Sequence, residues 1–149
     1  MESNRRNAGY GGVAILIRED VQYELVDMGC FLPVEVVAVK IKNNFDPITL
    51  ISVYVPPDRD QIQEVKEKIR KLFDAMEVIN GEIIVGGDWN GHHETWDPKG
   101  KTCPKGALIN TLIEASKLYL LNDGTHTCLT TTDRRSSTVD LTLQQREQQ

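Results

Sequence analysis

The sequence predicts a mixed α/β domain, and three observations carry that prediction. From Val13 to Val55 the chain is a succession of β-branched runs separated by turn residues. At Ile62 the apolar spacing changes to steps of three and four, which is a helix. Strand-like runs then return at Glu82 to Val85 and Thr138 to Leu143. The 149 residues, 40% of them hydrophobic, suffice for one domain (1–149) with a sizeable core.

The elements follow in order. Residues 1–8 are polar and expected to fray. Gly9-Tyr10-Gly11-Gly12 opens the run Val13 to Ile17, apolar on both alternating sets, which predicts a central strand buried on both faces. Arg18-Glu19-Asp20 makes a turn, and Val21 to Val26, alternating with period two, is its expected hairpin partner. A loop through Gly29 and Pro33 leads to a third strand, Val34 to Ile41, and the turn cluster Asn43 to Pro47 to a fourth, Ile48 to Val55. Pro56-Pro57 closes it, since proline cannot donate to a ladder. The first third should thus hold four neighbouring, largely antiparallel strands.

Asp58 or Asp60 can cap the helix whose inner face is Ile62, Val65, Ile69, Leu72, Met76 and Ile79. The charges between them have mixed signs and form a solvated face rather than a nucleic-acid patch. Asn80-Gly81 stops the helix, and the strand Glu82 to Val85 follows. The polar loop from Gly91 to Lys105 has the length of one that shapes a binding site. Lys105-Gly106 precedes a second helix with Leu108, Ile109, Leu112, Ile113 and Ala115 along one face. Leu118 to Leu121 and Thr127 to Thr130 are short strand candidates. In Thr138 to Leu143, Val139, Leu141 and Leu143 share one side and Asp140 takes the other; Gln144 to Gln149 is an expected disordered tail.

Charge and cysteines narrow the function. A net charge of −5 disfavours non-specific coating of nucleic acid but allows a metal-assisted enzyme that handles a phosphodiester in a local cleft. Cys30, Cys103 and Cys128 are odd in number and lack zinc spacing, which points to a reduced intracellular compartment. No apolar run approaches the roughly 18–20 residues of a membrane span, and Met1 to Asn7 is not a signal peptide.

The chemistry concentrates in Ile83-Ile84-Val85-Gly86-Gly87-Asp88-Trp89-Asn90-Gly91-His92-His93. A short buried strand should turn tightly at its two glycines and deliver Asp88 and Asn90, two residues apart, to one side at its carboxyl end. A carboxylate beside an amide suits a phosphate and a hard divalent cation; a plain strand-to-loop turn has the same composition. Tyr54 and Asp140 also sit at strand ends, so a hydroxyl, two carboxylates and an amide can surround a phosphate and a six-coordinate Mg²⁺. Alone, Tyr54 also fits a surface strand-end aromatic, and Asp140 the polar side of an amphipathic strand. His92 is a candidate for lining the cleft; neighbouring histidines on an extended loop point apart, and Cys103 and Cys128 offer no zinc spacing. Trp89 and Trp96 are candidates to stack on a base, although Trp96 better fits packing of the long loop.

The ordered set Gly11-Gly12-Val13-Ala14-Ile15, Val53-Tyr54-Val55-Pro56-Pro57, Gly86 to His93, Trp96, Lys105-Gly106, Leu121-Asn122 and Thr138-Val139-Asp140-Leu141-Thr142 resembles the endonuclease/exonuclease/phosphatase superfamily. It is most similar to the endonuclease domain of non-LTR retrotransposon polyproteins, relatives of apurinic endonucleases and DNase I. The resemblance implies a four-layer sandwich of two mostly antiparallel sheets flanked by helices. It further implies Mg²⁺-dependent (or Mn²⁺-dependent) nicking of DNA, linkage to a reverse transcriptase and work in the nucleus. By it Tyr54 contacts the scissile phosphate, Asp88 orients or deprotonates water, and Asn90 holds the phosphoryl oxygens. Asp88 and Asn90 lie at the metal, Trp89 and His92 at the substrate, and Asp140 matches the aspartate that supports a catalytic histidine.

The resemblance also places an Asn and a metal-binding Glu in strands before Gly11, and a Ser-Asp-His strand after Asp140. Neither Glu2 nor His126 stands in for them in this sequence. The expectation is therefore an incomplete domain, weak as a nuclease by itself. The alternatives are another phosphoesterase of the superfamily, of the inositol-phosphate phosphatase or sphingomyelinase type, and a non-catalytic interaction module. Trp96 and Lys105-Gly106 count against the former by resemblance.

Overall fold

The computed structural model describes residues 2–4, 12–42, 47–57, 62–129 and 136–145. Among these residues, eight strands and two helices follow in the order β1 (Glu2–Asn4), β2 (Val13–Ile15), β3 (Tyr23–Leu25), β4 (Glu35–Ile41), β5 (Ile48–Tyr54), α1 (Ile62–Glu77), β6 (Glu82–Asp88), α2 (Pro104–Ala115), β7 (Leu118–Leu120) and β8 (Asp140–Gln145). Six of the strands make one sheet in the order β3-β4-β5-β6-β8-β7. Its pairings are antiparallel except β5 with β6. That pair is parallel because α1 carries the chain back to the end at which β5 began, which a tight hairpin cannot do.

Two layers cover the sheet. Val65, Ile69, Leu72, Phe73 and Met76 of α1 are buried, and with Ala38, Ile51, Val53, Ile83, Val85, Leu141 and Leu143 they form the main core. Val39 follows Ala38 and so faces the other way; it is buried outside that cluster, as is Val13 of β2. β1 and β2 pair antiparallel and pack on β4 and β5. Helices, a six-stranded sheet and a two-stranded sheet thus stack as an incomplete sandwich of DNase I-like kind.

Five local expectations are corrected. Val13 to Ile17 is no central strand with a hairpin partner at Val21 to Val26. β2 is three residues long and pairs with β1, while β3 takes the edge of the larger sheet beside β4. The turn closed by Val21 N–H on Arg18 O (3.0 Å) moves the chain from one sheet to the other, and Leu16 is left exposed. Glu2–Asn4, expected to fray, belong to β1, because a ladder made by the main chain asks nothing of side-chain polarity. Gln144 and Gln145 likewise lie in β8, where Gln144 Nε2 donates to Glu82 Oε1 at 2.8 Å.

The fourth correction concerns the glycines. Gly86-Gly87 do not end the strand; β6 runs straight through them to Asp88. A Cβ on Gly87 would sit 1.9 Å from Val53 O, so this glycine allows a close approach of β5 and β6. The segment at Thr127 contributes an isolated bridge, Cys128 to Ser137, in place of a strand. Gly9 to Gly11, Asn43 to Asp46, the caps Asp58 and Asp60, Thr130 and the remainder of both expected tails lie outside the described residues. Among the described residues no helix is long and apolar enough to cross a membrane.

Candidate active site

Strand register builds the site. Glu35 of β4 pairs with Tyr54 of β5, Tyr54 with Asp88 of β6, and Asp88 with Asp140 of β8. Directly paired residues share a sheet face with Cβ atoms about 5 Å apart, so four polar side chains form one row across four strands. Asp88 and Tyr54 end their parallel strands, while Glu35 and Asp140 begin theirs. The row therefore lies at the carboxyl end of β5 and β6, on the rim where α/β sheets place ligands.

The ladder continues one step past the row, with Val55 N–H donating to Asp88 O (2.8 Å) and Trp89 N–H to Val139 O (2.9 Å). The chain then bends at Asn90, whose φ of 45° is left-handed, a conformation asparagine tolerates better than most residues. Its backbone N–H donates to Asp88 Oδ1 (3.1 Å), and its Nδ2 to Val55 O (3.0 Å). Asn90 thus orients the Asp88 carboxylate and ties it to the end of β5. Burial pushes the Asp88 carboxyl above its ordinary range; the two Asn90 hydrogen bonds oppose this, the charge of Asp140 adds to it, and Lys105 pulls it back.

The start of α2 closes the site. Cys103 caps the helix, its Sγ accepting from the backbone N–H groups of His92 and Gly106 at 3.3 Å each, while Cys103 N–H donates to His92 O at 2.9 Å. Gly106 presses on the same loop, since a Cβ there would sit 2.0 Å from His92 O. Between them Lys105 is fully buried, and its Nζ donates to Pro56 O at 2.8 Å.

Tyr54, Asp88, Asn90 and Asp140 are brought together as expected. Trp89 is not at the substrate side. It is fully buried, its ring 6.0 Å from that of Phe73, because the alternation that turns Asp88 and Asn90 to the rim turns Trp89 inward. Trp96 is buried too and donates from Nε1 to Gly91 O (3.0 Å), packing the loop. His92 is half-buried with its backbone engaged by Cys103, and His93 stacks on Trp96 and shares a hydrogen bond with Thr95.

Four further residues shape the site without having been singled out for it. Glu35 was a polar residue in an apolar run, and Lys105 a helix-entry residue. The other two steady β8: Thr127 Oγ1 accepts from the N–H groups of Val139 (3.2 Å) and Asp140 (3.1 Å), and Asn122 Nδ2 donates to Asp140 O (2.9 Å). Asn122 and Lys105, each inside a motif of the resemblance, carried a sequence signal; Glu35 and Thr127 did not. No group of three or more His, Cys, Asp or Glu able to hold a metal ion occurs among the described residues.

Comparison with known proteins identifies the family and the fold. A family model described as endonuclease-reverse transcriptase matches residues 48–149. The RNA-directed DNA polymerase from mobile element jockey of Drosophila melanogaster is 22% identical over 114 residues, which are 76% of this chain and 12% of that protein. The probable RNA-directed DNA polymerase from transposon BS of the same organism is 24% identical over 123 residues, 81% of this chain and 13% of that protein. This chain therefore spans about an eighth of the length of these curated relatives. Among solved structures, the endonuclease domain of TRAS1, a telomere-specific non-LTR retrotransposon, superposes with a TM-score of 0.69 at 25% identity, covering 89% of this chain and 58% of that one. A humanized TDP2 of D. rerio shares the fold, with a TM-score of 0.55 at 12% identity over 84% of this chain and 51% of that one.

Proposed function

Because the chain belongs to the endonuclease-reverse transcriptase family, we propose that Tyr54, Asp88, Asn90 and Asp140 form the hydrolytic part of a DNA-nicking site. The observation that carries this reading is the register that aligns Tyr54, Asp88 and Asp140 on adjacent strands, with Asn90 bonded to Asp88 beside them.

The donor set fits Mg²⁺. Burial and the charge of Asp140 disfavour the ionised Asp88 carboxylate, a penalty that a bound cation would relieve, and Asp88, Asp140 and the Asn90 carbonyl offer hard oxygen donors. Mg²⁺ is usually held by one or two carboxylates and keeps several waters, which suits a site without a three-carboxylate cluster. Asp88 and Asn90 would hold the ion, and Mn²⁺ can replace it. When bound, it supplies neutralisation of charge developing on the phosphoryl oxygens.

The chain's own residues do the remainder. The Tyr54 hydroxyl donates to a phosphoryl oxygen of the scissile phosphate. Asp88, oriented by the Asn90 backbone, accepts a hydrogen bond from the attacking water and draws its proton as the new P–O bond forms, while the bond from phosphorus to the leaving deoxyribose oxygen breaks and that oxygen takes a proton from solvent. Asn90 Nδ2 carries two protons; one is committed to Val55 O, and the other, directed at the Asp88 carboxylate, can be shared with the phosphate. The substrate is duplex DNA in the nucleus, and the site works in a polypeptide that also carries a reverse transcriptase, as the jockey and BS proteins do by name.

Supercoiled plasmid tests the reading. With Mg²⁺ the chain should slowly convert it to open circles, EDTA should stop the reaction, and Asp88→Asn should slow it by about 100-fold or more. No cation-dependent nicking, or nicking indifferent to Asp88→Asn, would contradict it.

A further inference from the structure

Lys105 stands where stability alone would not put it. It is the second residue of α2, next to the positive end of the helix dipole, where a carboxylate is favoured and a cation is not. It is also fully buried, and burying a cation is costly unless the cation is paired and hydrogen-bonded. A buried cation at this end of the helix, bonded to a strand outside it, is placed to hold that strand.

What it holds is the end of β5. Past Tyr54 the strand meets Pro56-Pro57, which have no N–H to donate, so this end can be secured chiefly through its carbonyl oxygens. Two successive carbonyls are secured in this way: Val55 O by Asn90 Nδ2 at 3.0 Å and Pro56 O by Lys105 Nζ at 2.8 Å. The first clamp comes from the loop after β6 and the second from α2. Those two pieces are themselves joined, through Cys103 Sγ and the contact of Gly106 with His92.

We propose that Lys105 is a positioning residue of the nuclease site, its buried ammonium fixing the end of β5 so that Tyr54 stays aligned with Asp88 and Asn90. The kinetic arm of the test rests on the nuclease reading; the spectroscopic arm does not.

The test compares Lys105→Met, nearly isosteric without the charge, with Lys105→Arg, in the ¹⁵N-labelled chain. In a folded Lys105→Met the side-chain amide signals of Asn90 and the backbone amide of Val55 should move, and the latter should exchange about 10-fold faster or more, as expected of a loosened segment. Lys105→Arg should keep both near their wild-type state. On plasmid with Mg²⁺, Lys105→Met should lose about 10- to 100-fold in kcat with KM within about twofold, and Lys105→Arg should recover most of that loss.

A folded Lys105→Met whose Asn90 and Val55 signals stay in place overturns the proposal, as does a change confined to KM. Should Lys105→Met not fold, the wild-type chain decides: an exchange-protected ¹⁵Nζ ammonium signal for Lys105 at neutral pH supports the clamp, and its absence overturns it. A wild-type chain that never nicks DNA refutes the nuclease reading while leaving the spectroscopic arm decisive for Lys105.

Discussion

Asp88 is kept in an environment that disfavours its ionised form. Its carboxyl is raised first by burial and then by Asp140, so the folded chain binds this proton more tightly than the unfolded chain does. The group's contribution to stability is then fully present below the ordinary carboxylate range and is lost as pH rises through the raised folded value. Thermal melts in EDTA should show this: Asp88→Asn should remove that decline and raise Tm at pH 7 by about 1–3 °C, while nicking is lost. An Asp88→Asn chain less stable than wild type at pH 7 would show that the carboxylate stabilises the fold instead. At this scale the sequence was legible where period-two geometry applies. Spacing alone put Asp88 and Asn90 on one side, and the same rule turns Trp89 into the core. For Lys105 the motif was legible but its burial was not, since nothing local distinguishes a buried lysine from a solvated one.

The elements that carry the site are set by two close approaches. Gly87 lets β6 lie against Val53 of β5, and Gly106 lets α2 lie against His92. Inside a helix, alanine is favoured over glycine by about 1 kcal/mol, so on propensity alone Gly106→Ala should stabilise. The geometry decides otherwise, because the new methyl would fall 2.0 Å from a backbone oxygen that cannot swing aside. Both Gly87→Ala and Gly106→Ala should cost about 2 kcal/mol or more in urea unfolding, with nicking reduced further because Asp88 and Lys105 move with these segments. Little or no change in the urea midpoint would place the contacts elsewhere. Motifs gave the glycines but not their reason: Gly86-Gly87 was expected to turn, and the strand instead runs through. Pairings were similarly hidden. β1 joins β2 and β3 joins β4 through main-chain ladders, which leave no mark on the side-chain pattern.

Over the whole molecule, the rim depends on the wall behind it. α1 packs along the core, and its Phe73 meets the indole of Trp89, one residue from Asp88. Phe73→Ala should cost about 3–5 kcal/mol and loosen the Trp89 indole, read as a red shift and easier quenching of tryptophan fluorescence. Unchanged fluorescence with intact stability would deny that the core supports the rim. The helix behind this wall was plain in the sequence, because a 3.6-residue period over sixteen residues has few other solutions. So was the final amphipathic strand, with Leu141 and Leu143 buried and Asp140 turned outward.

The central claim is that one rim gathers Tyr54, Asp88, Asn90 and Asp140 around a cation and a phosphate. Titration of the ¹⁵N-labelled chain with Mg²⁺ tests it most directly. The account predicts saturable shifts centred on Asp88, Asn90 and Asp140, spreading to Tyr54 and lost in Asp88→Asn. Shifts that never saturate, or that centre on residues away from this rim, would contradict it.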